Sequence, residues 1–149
     1  MDTMRVQQSC NDWLTHGGSI FTLQNEPWDV RTIKHFEYSK NIILTLSNLE
    51  MDTYDFIGFS VVEEFGSLIG SDVEGLKEYI EYISINKTSM DSLVRILSRI
   101  MGNSKILDEN SFEYDADCYQ LFEPDETTDA WFYVKGKNGQ YCLFLEYED

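Results

Sequence analysis

With 149 residues, 42% of them hydrophobic and 14% aromatic, the chain is long enough to bury one core without disulfides or metal and too apolar to stay disordered. Its 27 acidic residues against 11 basic ones give a formal net charge of −16, which repels nucleic acid and anionic membranes and attracts positively charged proteins. No run approaches the ~20 apolar residues of a membrane-spanning helix. The opening Met1-Asp2-Thr3-Met4-Arg5 lacks the apolar stretch of a signal sequence, so a soluble cytoplasmic protein is expected.

In chain order, Val6, Cys10, Trp13 and Leu14 recur at near-helical spacing over residues 2–15, ahead of a Gly17-Gly18 stop, and predict a short first helix. Ile20-Phe21-Thr22-Leu23 predicts a brief strand over 19–24, closed by the turn signal Asn25-Glu26-Pro27. Residues 28–39 read equally as a helical turn or as extended chain. Strands are expected over 41–49, through Ile42-Ile43-Leu44-Thr45-Leu46, and over 56–65, where Gly58 and Gly66 weaken a helical reading.

Two helices should follow. Ser71 and Glu74 form a capping-box pair before Val73, Leu76, Tyr79, Ile80 and Ile83, which line one face of a helix over 71–84. The next begins near Thr88 or Ser89 and carries Met90, Leu93, Val94, Leu97, Ile100 and Met101, with Gly102-Asn103 as its stop. Arg95 and Arg99 lie one turn apart near its C-terminus, where cations suit the helix dipole.

Beyond residue 103 the pattern becomes extended, over 111–114, 118–122, 130–135 and 140–147. Asn138-Gly139 signals a hairpin, because a type I′ turn needs two residues tolerant of positive φ. Centring the turn there pairs Lys137 with Gln140, Val134 with Leu143 and Phe132 with Leu145, with Tyr133 and Phe144 on the opposite side. Both faces are apolar, so this hairpin should lie at the centre of the sheet, covered on one side by helices. The expected fold is a single α+β domain over 1–149, an antiparallel sheet with helices packed on it and a C-terminal β-hairpin.

The residues hold no recognisable catalytic apparatus. His16 and His35 are the only near-neutral bases, and neither sits in a nucleophile motif. Cys10, Cys118 and Cys142 are odd in number and widely spaced, so they read as buried small hydrophobes in a reducing compartment rather than as a disulfide framework. Metal-ligand spacing is missing, and Asp115-Ala116-Asp117 is followed by neither the glycine nor the glutamate of a calcium loop. Scattered glycines form no phosphate loop, and hairpin chemistry accounts for Gly136-Lys137-Asn138-Gly139. No cofactor, no metal and no direct nucleic-acid contact are expected, and the protein reads as a binding module rather than an enzyme.

Acidity is concentrated. Asp108, Glu109, Glu113, Asp115, Asp117, Glu123, Asp125, Glu126 and Asp129 fall within 22 residues that contain no lysine or arginine, so this segment holds −9 of the −16. Phe112, Tyr114, Tyr119, Leu121 and Phe122 are interleaved with them, as in folded chain with a negative face rather than a solvated tail. These nine carboxylates and Trp131 are the candidate partner-binding residues: the carboxylates occupy places where a basic surface would hold phosphates, and a tryptophan supplies an anchor with little entropy to lose.

On the acidic run Asp108–Asp129 and the ending Trp131-Phe132-Tyr133-Val134-Lys135 to Tyr141-Cys142-Leu143-Phe144-Leu145-Glu146-Tyr147, the chain resembles the bacterial immunity proteins of contact-dependent inhibition and related polymorphic toxin systems. Those proteins share no common fold, so the resemblance transfers no functional residue. It implies a one-to-one complex with a cognate basic toxin domain, commonly a nuclease, that blocks its active site or a nearby surface. An acidic DNA mimic, phage- or plasmid-encoded and inhibiting a restriction or CRISPR nuclease, explains the charge as well. A small enzyme or a regulatory adaptor are further alternatives.

Overall fold

A computed structural model describes residues 1–16, 29–37, 40–65, 72–101, 115–121 and 129–147. The strands expected over 19–24 and 111–114 lie outside these residues. Among the described residues are four α-helices, one π-helical segment and six strands. The strands are β1 (Arg31–Glu37), β2 (Lys40–Ser47), β3 (Asn86–Thr88), β4 (Asp117–Gln120), β5 (Asp129–Lys135) and β6 (Gln140–Tyr147). They form one sheet in the order β1-β2-β6-β5-β4-β3, with every pair antiparallel. The α+β class and the C-terminal hairpin are as the sequence predicts, and β5 and β6 do occupy the centre.

Helix α1 (Thr3–His16) starts where the Asp2 carboxylate accepts from the Met4 N–H at 2.9 Å. Its Val6 and Cys10 point into the core, and half-buried Trp13 continues the same stripe. Residues 56–65 are helical, not the strand expected from their aromatic content. Asp52 caps α2 (Thr53–Phe59) by accepting from the N–H groups of Tyr54 (3.0 Å) and Asp55 (3.2 Å). The chain then widens into the π-helical segment Ser60–Phe65, beginning where the Ser60 hydroxyl bonds back to the Phe56 carbonyl at 2.8 Å.

Gly58, which weakened the helical reading, is what lets this helix pack. A Cβ there would lie 2.9 Å from the Ser9 carbonyl oxygen and nearer still to the Ser9 hydroxyl and the Trp13 ring. Ser9 in turn donates to the Tyr54 carbonyl at 2.6 Å, and Trp13 meets Phe59 edge-on with centroids 5.6 Å apart. The glycine is there for close approach of α1 and α2, not for a bend.

Helices α3 (Val73–Glu81) and α4 (Met90–Met101) match the two central predictions, α3 being shorter at both ends, so that Ile83 lies beyond it, and α4 beginning at Met90. The cap of α3 is Asp72, which accepts from the Gly75 N–H at 2.9 Å, and so replaces the predicted Ser71–Glu74 box. Aspartate is as good an N-cap as serine and sits directly before the first helical residue.

Helices cover both faces of the sheet, not one. On one face Ile43, Trp131, Tyr133, Cys142 and Phe144 pack under α1, α2, the π segment and α3, which bring in Val6, Cys10, Phe56, Ile57, Phe59, Val61, Leu76 and Ile80. On the other, Ile42, Leu44, Leu46, Phe132, Val134, Leu143 and Leu145 join Met90, Leu93 and Leu97 of α4. Each fully buried large side chain contributes roughly 1.5–3 kcal/mol, so the doubly covered β5–β6 pair is the energetic centre of the fold.

The hairpin register differs from expectation by two residues. Lys135 faces Gln140, Val134 faces Tyr141, Tyr133 faces Cys142 and Phe132 faces Leu143. Lys137-Asn138 is the turn centre, and the Gly136 N–H donates to the Gly139 carbonyl at 2.9 Å. Neither Asn138 nor Gly139 takes positive φ, so the type I′ geometry on which the prediction rested is not formed.

Gln140 shows what competes with it. Buried completely, its Oε1 accepts from the Tyr133 hydroxyl at 2.7 Å, and its Nε2 donates to the carbonyls of Met51 (2.9 Å) and Asn48 (3.2 Å). With its one hydrogen so used, Tyr133 accepts from the Thr53 hydroxyl at 3.2 Å. Moving the register by two would break all of these bonds inside the protein. Because two is the period of a strand, every side chain keeps its predicted face.

The close approach at Gly58 generates a test. Gly58→Ala should lower stability by about 1–3 kcal/mol in urea unfolding, because the Ser9 carbonyl belongs to a helix backbone that cannot yield locally. An unchanged midpoint would be incompatible with the packing of α1 on α2.

Candidate functional site

Of the ten candidate partner-binding residues, Asp108, Glu109, Glu113, Glu123, Asp125 and Glu126 lie outside the described residues. Asp115 and Asp117 are exposed on the turn into β4, and Asp129 opens β5, its backbone opposite Glu146. Trp131 requires a correction, since it is a core residue rather than a surface anchor. It is fully buried, 4.7 Å from Phe144 and 5.5 Å from Tyr79 between ring centroids. Odd positions of β5 face the helical layer, so Trp131 shares its side with Tyr133.

The surroundings of Asp115 and Asp117 are less negative than the sequence segment implies. Antiparallel pairing sets Asp117 opposite Lys135, and Lys87 of β3 reaches Asp117 at 3.8 Å. Both carboxylates line an open cleft of about 280 Å³ with Ala116, Lys135, Gly136 and Lys137. The segment itself contains no lysine; folding supplies three from elsewhere. This described part of the acidic run is locally balanced.

A larger imbalance stands on the helical layer built from α1, α2, the π segment, α3 and their caps. Asp2, Asp12, Asp52, Asp55, Glu63, Glu64, Asp72, Glu74, Glu78 and Glu81 belong to it, against Arg5 and Lys77, a net charge of −8. Other basic residues fall elsewhere: Arg31 and Lys34 on β1, Lys87 on β3, Arg95 and Arg99 on α4, Lys135 and Lys137 at the hairpin. In the linear chain residues 1–107 carry only −6, because the same stretch contains both groups. Most of the acidic group is contiguous in sequence, since residues 50–81 carry nine acids and one lysine.

Part of this acidity is structural. Asp2, Asp52 and Asp72 accept from helix N–H groups, and Asp55 and Glu74 lie in first turns, where the helix dipole favours negative charge. The local cations are engaged too. The Arg5 guanidinium lies 4.0 Å over the Tyr54 ring, and Lys77 stands 3.7 Å from Glu74. From β1, Lys34 reaches Glu64 at 3.7 Å.

The remaining carboxylates crowd one another. The Asp55 carboxyl is held above the usual aspartate range by partial burial first, then by the charges of Asp52 and Asp12. Glu63 is raised likewise, by burial and then by Glu64. Carboxylates placed where they repel are a cost that solubility alone does not require.

The buried titratable groups do different work. Burial pushes the thiols of Cys10 and Cys118 up to about 12, and that of Cys142 upward as well. All three cysteines are free and buried, as expected, and a thiol held protonated at neutral pH is a poor nucleophile. Tyr133 is raised by burial and serves the Gln140 network. His16 is exposed in the last turn of α1, and His35 lies on β1. Among the described residues no group of three or more His, Cys, Asp or Glu is arranged to hold a metal ion, and no helix is long and apolar enough to cross a membrane.

The crowding at Asp55 sets a pH dependence. Because its folded pKa is raised, the folded state gains from protonating it, and that gain is lost as pH rises through the raised value. Asp55→Asn should therefore raise the melting temperature at pH 7. The advantage should vanish as the pH falls toward the usual aspartate value of 3.8, where Asp55 is itself protonated. A gain independent of pH would remove the electrostatic explanation. Comparison with family models, with curated proteins and with solved structures finds no match for this chain.

Proposed function

We propose that the protein is an immunity protein, binding a cognate basic toxin domain, a nuclease by preference, in a one-to-one complex that covers its active site or a nearby surface. The observation that carries this reading is the unevenness of the charge: within a chain of −16, one helical layer holds −8 and only two of the eleven lysines and arginines, Arg5 and Lys77. A field of one sign over one side steers a positive partner to that side and raises the encounter rate. Nuclease surfaces hold phosphates with lysines and arginines, so carboxylates on a rigid frame can occupy those positions. Three buried free cysteines suit a reducing compartment, and we place the protein in the cytoplasm.

The spread of carboxylates over a whole helical layer favours one second reading, a DNA mimic acting on a restriction or CRISPR nuclease. Both readings predict a basic, nucleic-acid-handling partner; they differ in which class of nuclease is neutralised.

The test is a binding and protection screen. Purified protein is titrated against a panel of basic nuclease domains of both classes, with calorimetry for stoichiometry and nuclease turnover as readout. One member should bind at one to one and lose activity. Its association rate should fall steeply between about 50 and 500 mM salt as screening shortens the field. Truncating a rim carboxylate should cost under ~1 kcal/mol, and truncating one desolvated against arginine ~2–5 kcal/mol. Binding that does not respond to salt would defeat the reading. So would a reproducible turnover by this protein alone that His16→Ala or His35→Ala abolishes.

A further inference from the structure

A basic partner has more than one acidic surface to choose from on this molecule. Three segments converge at one end of the helical layer: the first turns of α1, the start of α2, and residues 81–85 after α3. They are tied by bonds between side chains and the main chain. The Asp2 N–H donates to the Tyr54 hydroxyl at 3.1 Å, and the Ile85 N–H donates to the Thr3 hydroxyl at 3.1 Å. Gln7 Nε2 donates to the carbonyls of Glu81 (3.3 Å) and Ile83 (3.2 Å). The junction is therefore fixed before any partner arrives, and little ordering entropy remains to be lost on docking.

On the outside of this junction stand Met4, 77% exposed, and Tyr82, 78% exposed, the two most exposed large apolar side chains among the described residues. Met4 lies three residues before Gln7, on the side of α1 that meets residues 81–83. Tyr82 lies between the two residues whose carbonyls Gln7 holds. Asp2, Asp52, Asp55 and Glu81 belong to the same three segments and are all exposed. The nearby cation, Arg5, is stacked on Tyr54.

Single exposed apolar groups are ordinary on a protein surface. A methionine and a tyrosine held on one rigid junction among carboxylates have the make-up of an interface, with apolar anchors inside and a charged rim outside. The charge selects the occupant. A second copy would bring −16 against −16, and anionic lipid or nucleic acid would be repelled in the same way. A lysine- and arginine-bearing protein surface is complementary.

We propose that this junction is the docking site for a basic protein partner, with Met4 and Tyr82 entering an apolar recess whose flanking lysines and arginines pair with Asp2, Asp52, Asp55 and Glu81. The proposal rests on the basic-partner reading given above but not on the partner's being a toxin. It places the centre of the interface on the helices rather than on the acidic segment 108–129.

Two synthetic peptides of equal charge serve as probes, one of lysines alone and one in which a pair of leucines is flanked by the same number of lysines. The full ¹⁵N-labelled chain is titrated with each at about 20 mM salt, where screening is weak, and amide shifts are mapped. The leucine peptide should bind roughly fivefold tighter or more, a difference of about 1 kcal/mol, with the largest shifts at Met4, Arg5, Glu81 and Tyr82. The double variant Met4→Ser, Tyr82→Ser should lose that preference while keeping its affinity for the lysine peptide, and its unchanged amide spectrum elsewhere reports that it is folded. Equal affinity for the two peptides, or shifts centred on Asp115 and Asp117, would overturn the docking site and leave the basic-partner reading standing. Absence of any shift with either peptide would sink both. A dimer in light scattering that the double variant abolishes would replace the basic partner with a second copy.

Discussion

The β5–β6 pair is apolar on both faces, and the rest of the structure answers the need to cover both at once. Trp131, Tyr133, Cys142 and Phe144 look one way, while Phe132, Val134, Leu143 and Leu145 look the other, and all eight are buried. A single layer of helices would leave four of them in water, at roughly 1.5–3 kcal/mol each. Hence β2 and β4 flank the pair on either side, α4 lies across one face, and α1, α2, the π segment and α3 lie across the other. The close contact at Gly58 follows from that crowding, because several helical pieces share one side of the sheet.

Coverage on two sides also sorts the charges. Helices α1, α2 and α3 turn their outer surfaces to water in one direction, and their polar positions are predominantly acidic, partly because aspartates cap the helix starts. Helix α4 faces the opposite direction with Arg95 and Arg99 exposed. The molecule thereby acquires an electrical polarity, with the acidic α2, π segment and α3 on one side and Arg95 and Arg99 on the other. Such polarity orients a charged partner before contact, at distances of about a Debye length.

Much of the architecture is legible in the residues because it is local. Short continuous apolar runs announce β2, β5 and β6 as strands buried on both faces, and the periodic stripe Met90, Leu93, Leu97 announces α4. Residues 56–65 were obscured because nearly continuous apolar chain fits a buried strand and a buried helix alike, and the deciding signal, Asp52 as a cap, lies four residues earlier. The hairpin register failed for a different reason. Asn138-Gly139 is a local signal, whereas Gln140 is committed to carbonyls of residues 48 and 51, which no window around the turn contains. The burial of Trp131 could have been anticipated from its sharing a strand face with Tyr133. Most of the acidic layer could have been read as well, since residues 41–76 hold seven acids and no lysine or arginine; that α1 packs beside them is what the sequence does not display.

The sheet order has a consequence for how the chain acquires its structure during synthesis. Strand β6 lies between β2 and β5, and it pairs Lys40 with Tyr147 across more than a hundred residues of chain. Until residue 147 has cleared the ribosome, β1 and β2 can form only a hairpin with an open edge, and α1 and α2 have only part of the floor on which they rest. Closing so long a loop is slow, and an unpaired strand edge invites wrong partners in the interval. The nascent chain thus holds its early strands and helices in waiting until β6 arrives to join β2 to β5. The net charge of −8 on residues 50–81 makes neighbouring nascent chains repel one another through that wait, a use of acidity that needs no folded surface.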